Sequence, residues 1–211
     1  MLRGVAWNLM LAAIPVPLAY ATLWGLGRRG GARRLSWWLI APLAVAWLAF
    51  LPNSCYLLTE WRHLLFDPRW KPLLDAGPDD AGAMMGAARW SLFFVGYSGV
   101  GVLLFVLSVR PFERILRASG LRFLWLAPLF FGLMSVGVYL GLRIRLNSWD
   151  LVQRPAVVWT AVSEALSSHP RMVAIAVFAG LLWALYEAVD IWVDGVSQRL
   201  GSRTAKPRRT A

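Results

Sequence analysis

The chain has 211 residues, of which 58% are hydrophobic and 16% are charged, and its formal net charge is +11. Soluble domains contain roughly 45–50% apolar and about 25% charged residues, and a soluble fold of this length has too little interior to hide the excess apolar surface. These values exclude an ordinary soluble domain and predict a single integral membrane domain over residues 1–200.

Five apolar runs, separated by short basic or polar stretches, hold most of the hydrophobic residues. A membrane helix needs about 20 apolar residues, because it rises ~1.5 Å per residue across the hydrocarbon core. Each run is close to that length, so we predict an all-α polytopic membrane helix bundle of about five transmembrane helices. The predicted spans are residues 5–26, 35–51, 90–109, 121–142 and 172–193.

The first run resembles a cleaved signal peptide, because Arg3 precedes it and Ala19-Tyr20-Ala21 resembles a cleavage site. However, the apolar run continues beyond that site, and four arginines follow it between residues 28 and 34. A signal peptide has its stronger positive charge on the N-terminal side, so we predict a retained first span. The second run is the shortest and contains Pro42, which a membrane helix tolerates when its neighbours satisfy the freed carbonyl.

The distribution of lysine and arginine predicts the orientation of the chain. Basic residues in short segments stay on the cytoplasmic side of a membrane. Three short segments, at residues 27–34, 110–122 and 199–209, hold thirteen of the 22 basic residues. We therefore expect the N-terminus outside, the C-terminus in the cytoplasm and a disordered basic tail at residues 201–211. The basic segments would meet anionic lipid headgroups, and nucleic acid is not an expected partner.

A polar motif follows the second run at its predicted outer end. It reads Leu-Pro-Asn-Ser-Cys-Tyr over residues 51–56 and continues to Glu60 and His63. Pro52 has no backbone N–H and therefore kinks or ends the span. Asn53 then either satisfies freed backbone groups or caps a helix that begins at Ser54.

A second polar motif, Asn-Ser-Trp-Asp at residues 147–150, follows the fourth run on the same predicted side. Asn147 or Ser148 is suited to cap a helix there, and Asp150 is suited to stabilise the positive N-terminal end of that helix. Trp149 is suited to anchor the helix at the level of the headgroups. The motif therefore predicts a short helix at the membrane surface.

Two arginines, Arg143 and Arg145, stand at the outer end of the fourth span, where the positive-inside rule gives no reason for them. Three roles suit them. The first is contact with headgroup phosphates, the second is binding of an anionic ligand, and the third is pairing with Glu60 or Asp150 across the outer face.

Both motifs leave the membrane on one predicted side, so our hypothesis is that residues from two distant spans converge there. The candidate outer-face site comprises Asn53, Tyr56, Glu60, His63, Arg143, Arg145, Asn147, Trp149 and Asp150.

The pairing of Leu-Pro-Asn-x-x-Tyr with Asn-Ser-Trp-Asp resembles an uncharacterised family of bacterial multi-spanning membrane proteins, classed only as a domain of unknown function. The resemblance runs from about Trp47 to the fifth span and differs at Ser54-Cys55, where the family is expected to have Ala-Pro. It implies a multi-spanning fold in a bacterial cell (inner) membrane. It implies no reaction, substrate or cofactor.

Glu60, His63 and Asp67 have a spacing that places three side chains on one helix face, and Glu-x-x-His occurs in metal sites of helix bundles. Pro68 ends such a helix at once, and the sequence fixes no second pair of ligands. We therefore predict no metal and no cofactor. The sequence also contains no Gly-x-Ser-x-Gly, phosphate-loop or dinucleotide fingerprint.

The fifth span carries Glu187 and Asp190, one helical turn apart in its predicted cytoplasmic third. An ionisable group costs at least ~2.5–3.5 kcal/mol at mid-membrane, so such groups tend to have a partner or a function. The two carboxylates form either a proton or cation relay or an ion-pair cluster. The arginines expected to join a cluster are Arg28, Arg29, Arg33, Arg34 or Arg114.

Two outer loops are expected to contain short interfacial helices, at residues 64–74 and 156–166. The sequence favours a structural or assembly component of the cell membrane, with a membrane-protein partner. One alternative is a binding or catalytic site for an anionic lipid or envelope molecule at the outer interface. The other is a small proton-coupled transporter that uses Glu187 and Asp190.

Overall fold

The computed structural model describes residues 2–27, 37–66, 71–75, 80–118, 120 and 122–204. All regular secondary structure in this part of the chain is helical and none of it is strand, which confirms the predicted all-α bundle. Five of its helices are long and apolar enough to cross a bilayer, as a multi-pass membrane protein requires. These candidate spans are Gly4–Gly25, Trp38–Glu60, Ala81–Arg114, Phe123–Ile144 and His169–Leu200.

The first candidate span consists of two helices, α1 (Leu2–Ala13) and α2 (Pro15–Gly27), with a turn at Ile14 between them. The break follows from Pro15 and Pro17, whose missing N–H groups leave two carbonyls of the preceding turn without a helical donor. The predicted span at 5–26 is therefore present but interrupted in its middle.

The second candidate span runs further than the sequence predicts. It comprises α3 (Trp37–Phe50), α4 (Pro52–Tyr56) and a 3-10 turn at Leu57–Glu60, so helical backbone continues past Pro52. The predicted span at 35–51 ends nine residues before this candidate span does, and the first polar motif lies in helical backbone. Two short helices follow, α5 (Trp61–Phe66) and α6 (Lys71–Asp75), which cover the two ends of the interfacial helix expected at 64–74; its residues 67–70 lie outside the described part of the chain.

The third span belongs to α7 (Ala81–Ala118), which starts nine residues before the predicted boundary at 90. The fourth comprises α8 (Phe123–Tyr139) and a π-helical turn at Leu140–Ile144.

A one-turn helix, α9 (Asp150–Gln153), and then α10 (Pro155–Ser167) follow the fourth span, and α10 covers the interfacial helix expected at 156–166. The last helix of the described part is α11 (His169–Thr204), so the predicted start of the tail at residue 201 falls inside a helix. Residues 205–211 lie outside the described part of the chain.

The bundle has two ends, which we name by the termini. The N-terminal face carries the start of α1, α5, α6, residues 145–154 and α10. The C-terminal face carries the end of α2, the connection between α7 and α8, and the end of α11. Between the two faces, α2 packs against α3 and α7, and α11 packs against α8 and α7.

Aromatic side chains fill the core between these helices, with Phe105, Phe131 and Tyr186 almost fully buried at its centre. Large apolar side chains also point outward from the spans, as lipid-facing residues do: Trp38 is 88% exposed and Leu129 is 76% exposed.

Two glycines allow the end of the second span to wedge between α7 and α8. A Cβ at Gly101 would lie 2.7 Å from the Ser54 carbonyl oxygen, and a Cβ at Gly137 would lie 2.6 Å from Pro52 Cγ. Close helix packing is therefore the role of these two positions, as small residues provide in membrane bundles. The nearby Gly132 is different, because a Cβ there would meet no described atom within 4 Å.

Candidate functional site

Asn53 satisfies a backbone carbonyl that loses its helical donor at the Pro52 break. The backbone N–H of Ser54 donates to the Leu51 carbonyl at 3.1 Å, which leaves the Phe50 carbonyl without that donor. The Asn53 side-chain amide donates to the Phe50 oxygen at 2.9 Å instead. Of the two roles predicted for Asn53, the structure contains the first, the satisfaction of a freed backbone group. It caps no helix from Ser54, since α4 already begins at Pro52.

The same amide nitrogen joins the two polar motifs. Asn53 Nδ2 also donates to the Ser148 hydroxyl at 2.9 Å, across 95 positions of sequence. An amide nitrogen has two hydrogens, so both donors of Asn53 are used. The two motifs are therefore in direct contact at the N-terminal face.

A polar cavity of about 540 Å³ opens beside this contact. Its walls come from α1, the end of the second span, α7 and the segment that follows α8. It gathers polar residues that are far apart in sequence, six of them from the candidate site. The polar and ionisable lining residues are Asn8, Asn53, Tyr56, Glu60, His63, Tyr97, Arg145 and Asn147.

Two of the lining residues, Asn8 and Tyr97, were not among the sequence candidates. Tyr97 is only 6% exposed, its ring stacks on Phe93 in a core cluster, and its hydroxyl interacts with the Asn8 side chain without a hydrogen bond of good geometry. A buried polar group without a hydrogen bond costs about 1–3 kcal/mol. Two other buried groups share this property, on Trp47 and Ser108, but neither lines the cavity. Tyr97 and Asn8 therefore add polar side chains to the lining of the cavity.

Arg145 sits at the edge of the cavity in an unusual backbone conformation. Its φ of 59° places it in the left-handed region, alone among the described non-glycine residues. That conformation costs a non-glycine residue on the order of 1–2 kcal/mol. It follows the π-helical turn, and the Arg145 backbone N–H donates to the Leu140 carbonyl. No described carboxylate lies within 4 Å of its guanidinium group, so the cation is unpaired within the described protein.

Glu60 and His63 form the opposite wall, on consecutive turns after α4. Glu60 is buried, and its carboxylate lies 3.8 Å from His63 Nε2. Asp67, the third member of the spacing predicted to share their helix face, lies outside the described residues. Within the described ranges, no three His, Cys, Asp or Glu side chains are close enough to hold a metal ion.

Asp150 belongs to a local network of hydrogen bonds and does not line the cavity. Its carboxylate accepts hydrogen bonds from the Asn147 backbone N–H at 2.7 Å and from Arg154 Nη2 at 2.7 Å and Nε at 3.0 Å. These donors hold the pKa of Asp150 below its ordinary value of 3.8, the Asn147 N–H first and Arg154 second. Of the three roles predicted for Arg143 and Arg145, pairing with Asp150 is not found among the described ion pairs, and the arginine that contacts this carboxylate is Arg154.

Two further candidates also stay outside the cavity. Arg143 and Trp149 are exposed and contribute no lining atoms. No described ion pair joins Arg143 or Arg145 to Glu60, so the alternative pairing expected there is not found either. A side-chain cap by Asn147 or Ser148 is likewise not found, since α9 has no side-chain cap bond.

An ionic cluster joins α7 to α11 near the C-terminal face. Arg110 Nε lies 2.6 Å from Asp190, and Arg110 also contacts Asp194. Arg114, one of the arginines expected to join the cluster, lies 3.9 Å from Asp194. The partner of Asp190 is therefore Arg110, which was not among the arginines expected. Arg28, Arg29, Arg33 and Arg34 lie outside the described residues.

Other carboxylates near this face have different partners. Glu187 accepts a hydrogen bond from Trp183 Nε1 at 3.1 Å, so its described partner is an indole and not an arginine. Glu113 is buried and accepts hydrogen bonds from the Tyr186 hydroxyl and from Arg117. The cluster thus pairs the carboxylates of α11 and α7 with donors on both helices.

A family model described as a protein of unknown function (DUF1361) matches residues 7–185. The match covers most of the chain, including both polar motifs and every residue that lines the polar cavity except Gly4 and Val5. No curated protein and no solved structure matches the chain.

Proposed function

Since the chain belongs to the DUF1361 family, whose description assigns no activity, we propose a function from geometry alone: the polar cavity binds the anionic headgroup of a lipid or envelope molecule. The observation that carries this proposal is the Arg145 guanidinium, which has no described ion-pair partner and lines a cavity together with other polar residues, the buried Tyr97 among them. The proposal puts the N-terminal face on the outer side of a bacterial cell membrane, in keeping with the distribution of arginine.

The lining favours an anion. Arg145 brings a planar set of donors that matches phosphate or carboxylate, and Tyr97 and Asn147 add neutral hydrogen-bonding groups. The Glu60 carboxylate lies 3.8 Å from His63 Nε2, so its nearest described partner is the imidazole. A volume of about 540 Å³ lies within the ~300–1,000 Å³ that ligand sites in proteins occupy.

A purely structural role accounts for only part of the motifs. Asn53, Ser148, Asp150 and Arg154 all bond to other protein groups, and these bonds serve the fold. Arg145 has no such described partner, although it is held in a costly backbone conformation. A structural component with a membrane-protein partner remains a second proposal, and it gives the Arg145 guanidinium no role.

A proton-coupled transporter has less support. That alternative depends on Glu187 and Asp190, and the carboxylate of each already has a described partner, Trp183 and Arg110 respectively. Neither residue lines the polar cavity. We therefore favour binding at the N-terminal face.

Binding of a short-chain phosphatidic acid to the purified full chain in detergent tests the proposal, with short-chain phosphatidylcholine as the comparison. We expect saturable binding of phosphatidic acid that weakens by about tenfold or more in Arg145→Gln, because a charge-assisted hydrogen bond contributes ~1.5–3 kcal/mol. Arg143→Gln is the matched control, since it removes the same charge two positions away and outside the cavity, and it should bind normally.

Tyr97→Phe separates binding from folding. Removing a buried hydroxyl that lacks a hydrogen bond of good geometry should leave the free energy of unfolding unchanged or slightly higher, while phosphatidic acid binding weakens by a few-fold. Equal losses in Arg145→Gln and Arg143→Gln would mean that surface charge alone attracts the lipid, and the proposal would be abandoned. The same conclusion follows if phosphatidic acid and phosphatidylcholine bind equally.

A further inference from the structure

An apolar groove of about 300 Å³ lies next to the polar cavity. It runs between the second span, α8 and α10. Its apolar walls include Leu48, Leu133, Val136, Val158 and Val162.

The groove and the cavity share a wall. Asn53, Tyr56, Gly141, Leu146 and Asn147 line both of them. The two spaces therefore adjoin at the place where the two sequence motifs meet.

The groove opens toward the side of the bundle where lipid would lie. Val45 and Leu133, which line it, are 67% and 48% exposed, and both belong to candidate spans. On the N-terminal side α10 covers it with Val158 and Val162. A space with exposed lining residues along a span is accessible from within the bilayer.

We propose that the groove holds a hydrocarbon chain of the same molecule whose anionic headgroup occupies the cavity. The ligand class is then a membrane amphiphile with one chain in the groove, and not a small anion that arrives from water. This inference rests on the proposed function, because it assigns the rest of the ligand for that site. The two spaces adjoin through shared lining residues and Arg145 lines only the cavity, so the headgroup belongs in the cavity and the chain in the groove.

The groove contributes orientation more than membrane affinity. A chain that moves from lipid into an apolar groove exchanges one apolar environment for another, so burial alone gives little gain. A groove beside a cationic cavity nevertheless fixes where the headgroup must sit. Crosslinking of a chain in the groove should therefore depend on the headgroup and on Arg145.

The test uses the full chain in lipid nanodiscs that contain phosphatidic acid with a diazirine on one acyl chain. After illumination, we expect crosslinked peptides that contain the groove residues of α3, α8 and α10. Diacylglycerol with the same diazirine chain should crosslink there several-fold less, because it lacks the anionic group. Arg145→Gln should reduce the phosphatidic acid crosslink to the diacylglycerol level, whereas Arg143→Gln should not.

A pair of variants on α10 tests the groove itself. Val162→Trp fills the groove and should remove the crosslink, while Val157→Trp points outward on the same helix and should keep it. Both variants are first checked for an unchanged unfolding transition. If Val162→Trp does not fold, Val45→Trp at the open side of the groove replaces it, with the same loss of crosslink expected.

The outcomes separate the two proposals. Arg145-dependent binding of phosphatidic acid, competed equally well by inorganic phosphate and without groove crosslinks, would overturn the chain site and leave the headgroup site standing. Groove crosslinks that are equal for diacylglycerol and phosphatidic acid would identify ordinary surrounding lipid and also overturn it. A co-purified protein helix found in the groove, with no lipid crosslink there, would overturn the chain site and identify a protein partner instead.

Discussion

Asn53 and Ser148 share a 2.9 Å hydrogen bond across 95 positions of sequence, between the side-chain amide of one and the hydroxyl of the other. The second hydrogen bond of the same amide holds the Phe50 carbonyl. One side chain therefore repairs the helix at Pro52 and fixes the segment that follows the fourth span. The polar cavity and the apolar groove meet at this contact, so its geometry sets the wall between them.

Loss of the Asn53 amide should cost more stability than loss of the Ser148 hydroxyl. Asn53→Ala removes two hydrogen bonds and leaves the part-buried Phe50 carbonyl without its donor, which predicts a loss of about 1–3 kcal/mol. Ser148→Ala removes one bond, for which membrane proteins average ~0.6 kcal/mol. Unfolding in mixed detergent micelles measures both, and the double variant should show a coupling of similar size. Strictly additive losses would mean that the contact contributes nothing.

Gly137→Ala should destabilise the bundle where α8 meets Pro52. The added methyl group would lie 2.6 Å from Pro52 Cγ and 2.9 Å from Pro52 Cβ, and a proline ring cannot rotate away. Overpacking of this kind costs about 1–3 kcal/mol. Gly132→Ala is the control on the same helix, where the methyl group meets no described atom within 4 Å and stability should be unchanged or higher. The same unfolding assay applies, and equal effects at both positions would contradict the packing argument.

The number and apolar character of the spans could be predicted from sequence because each run satisfies the length that a bilayer demands. The end of the second span could not. Pro52 predicts a helix end because it lacks an N–H, but Asn53 and the neighbouring helices satisfy the freed groups, and the helical path continues to Glu60. Such compensation depends on tertiary partners, which local spacing does not reveal.

The candidate site shows the same division. The sequence gives no reason to prefer Arg145 to Arg143 as a ligand-binding residue. The structure distinguishes them by the π-helical turn and by the left-handed backbone at Arg145. Tyr97 lies within an apolar run, where a polar residue is a signal for function, but whether its hydroxyl finds a hydrogen bond depends on what surrounds it. The pairing of Asp150 with Arg154 could have been predicted, since the two residues have the i, i+4 spacing that favours ion pairs on helices.

Asp150 should make stability depend on acid pH. Its pKa is lowered in the folded state, so its contribution is complete above the ordinary value of 3.8 and disappears as the pH falls through the lower folded value. Asp150→Asn should therefore be less stable than the natural chain at neutral pH, and the difference should shrink below pH 3.8. Unfolding measured from neutral to acid pH tests this. Glu164→Gln, at an exposed position on α10 whose side chain has no described hydrogen bond, should follow the natural chain throughout.

Among the arginines of the ionic cluster, Arg110 should contribute most to the free energy of unfolding. It is 9% exposed and contacts Asp190 at 2.6 Å and also Asp194, so Arg110→Gln leaves a carboxylate inside the bundle without its cation. Removing one partner of a buried pair costs about 3–5 kcal/mol. Arg114 is 70% exposed and 3.9 Å from Asp194, so Arg114→Gln should cost about 0–1 kcal/mol.

The double variant Arg110→Gln with Asp190→Asn decides between pairing and packing as the source of that loss. If the charge left behind causes most of the loss, neutralising Asp190 should recover a large part of it, because two neutral partners can still share a hydrogen bond. Unfolding of the single and double variants in the same micelles gives the comparison. A double variant less stable than Arg110→Gln alone would show that Asp190 has another essential partner and that the cluster does not depend on this pair.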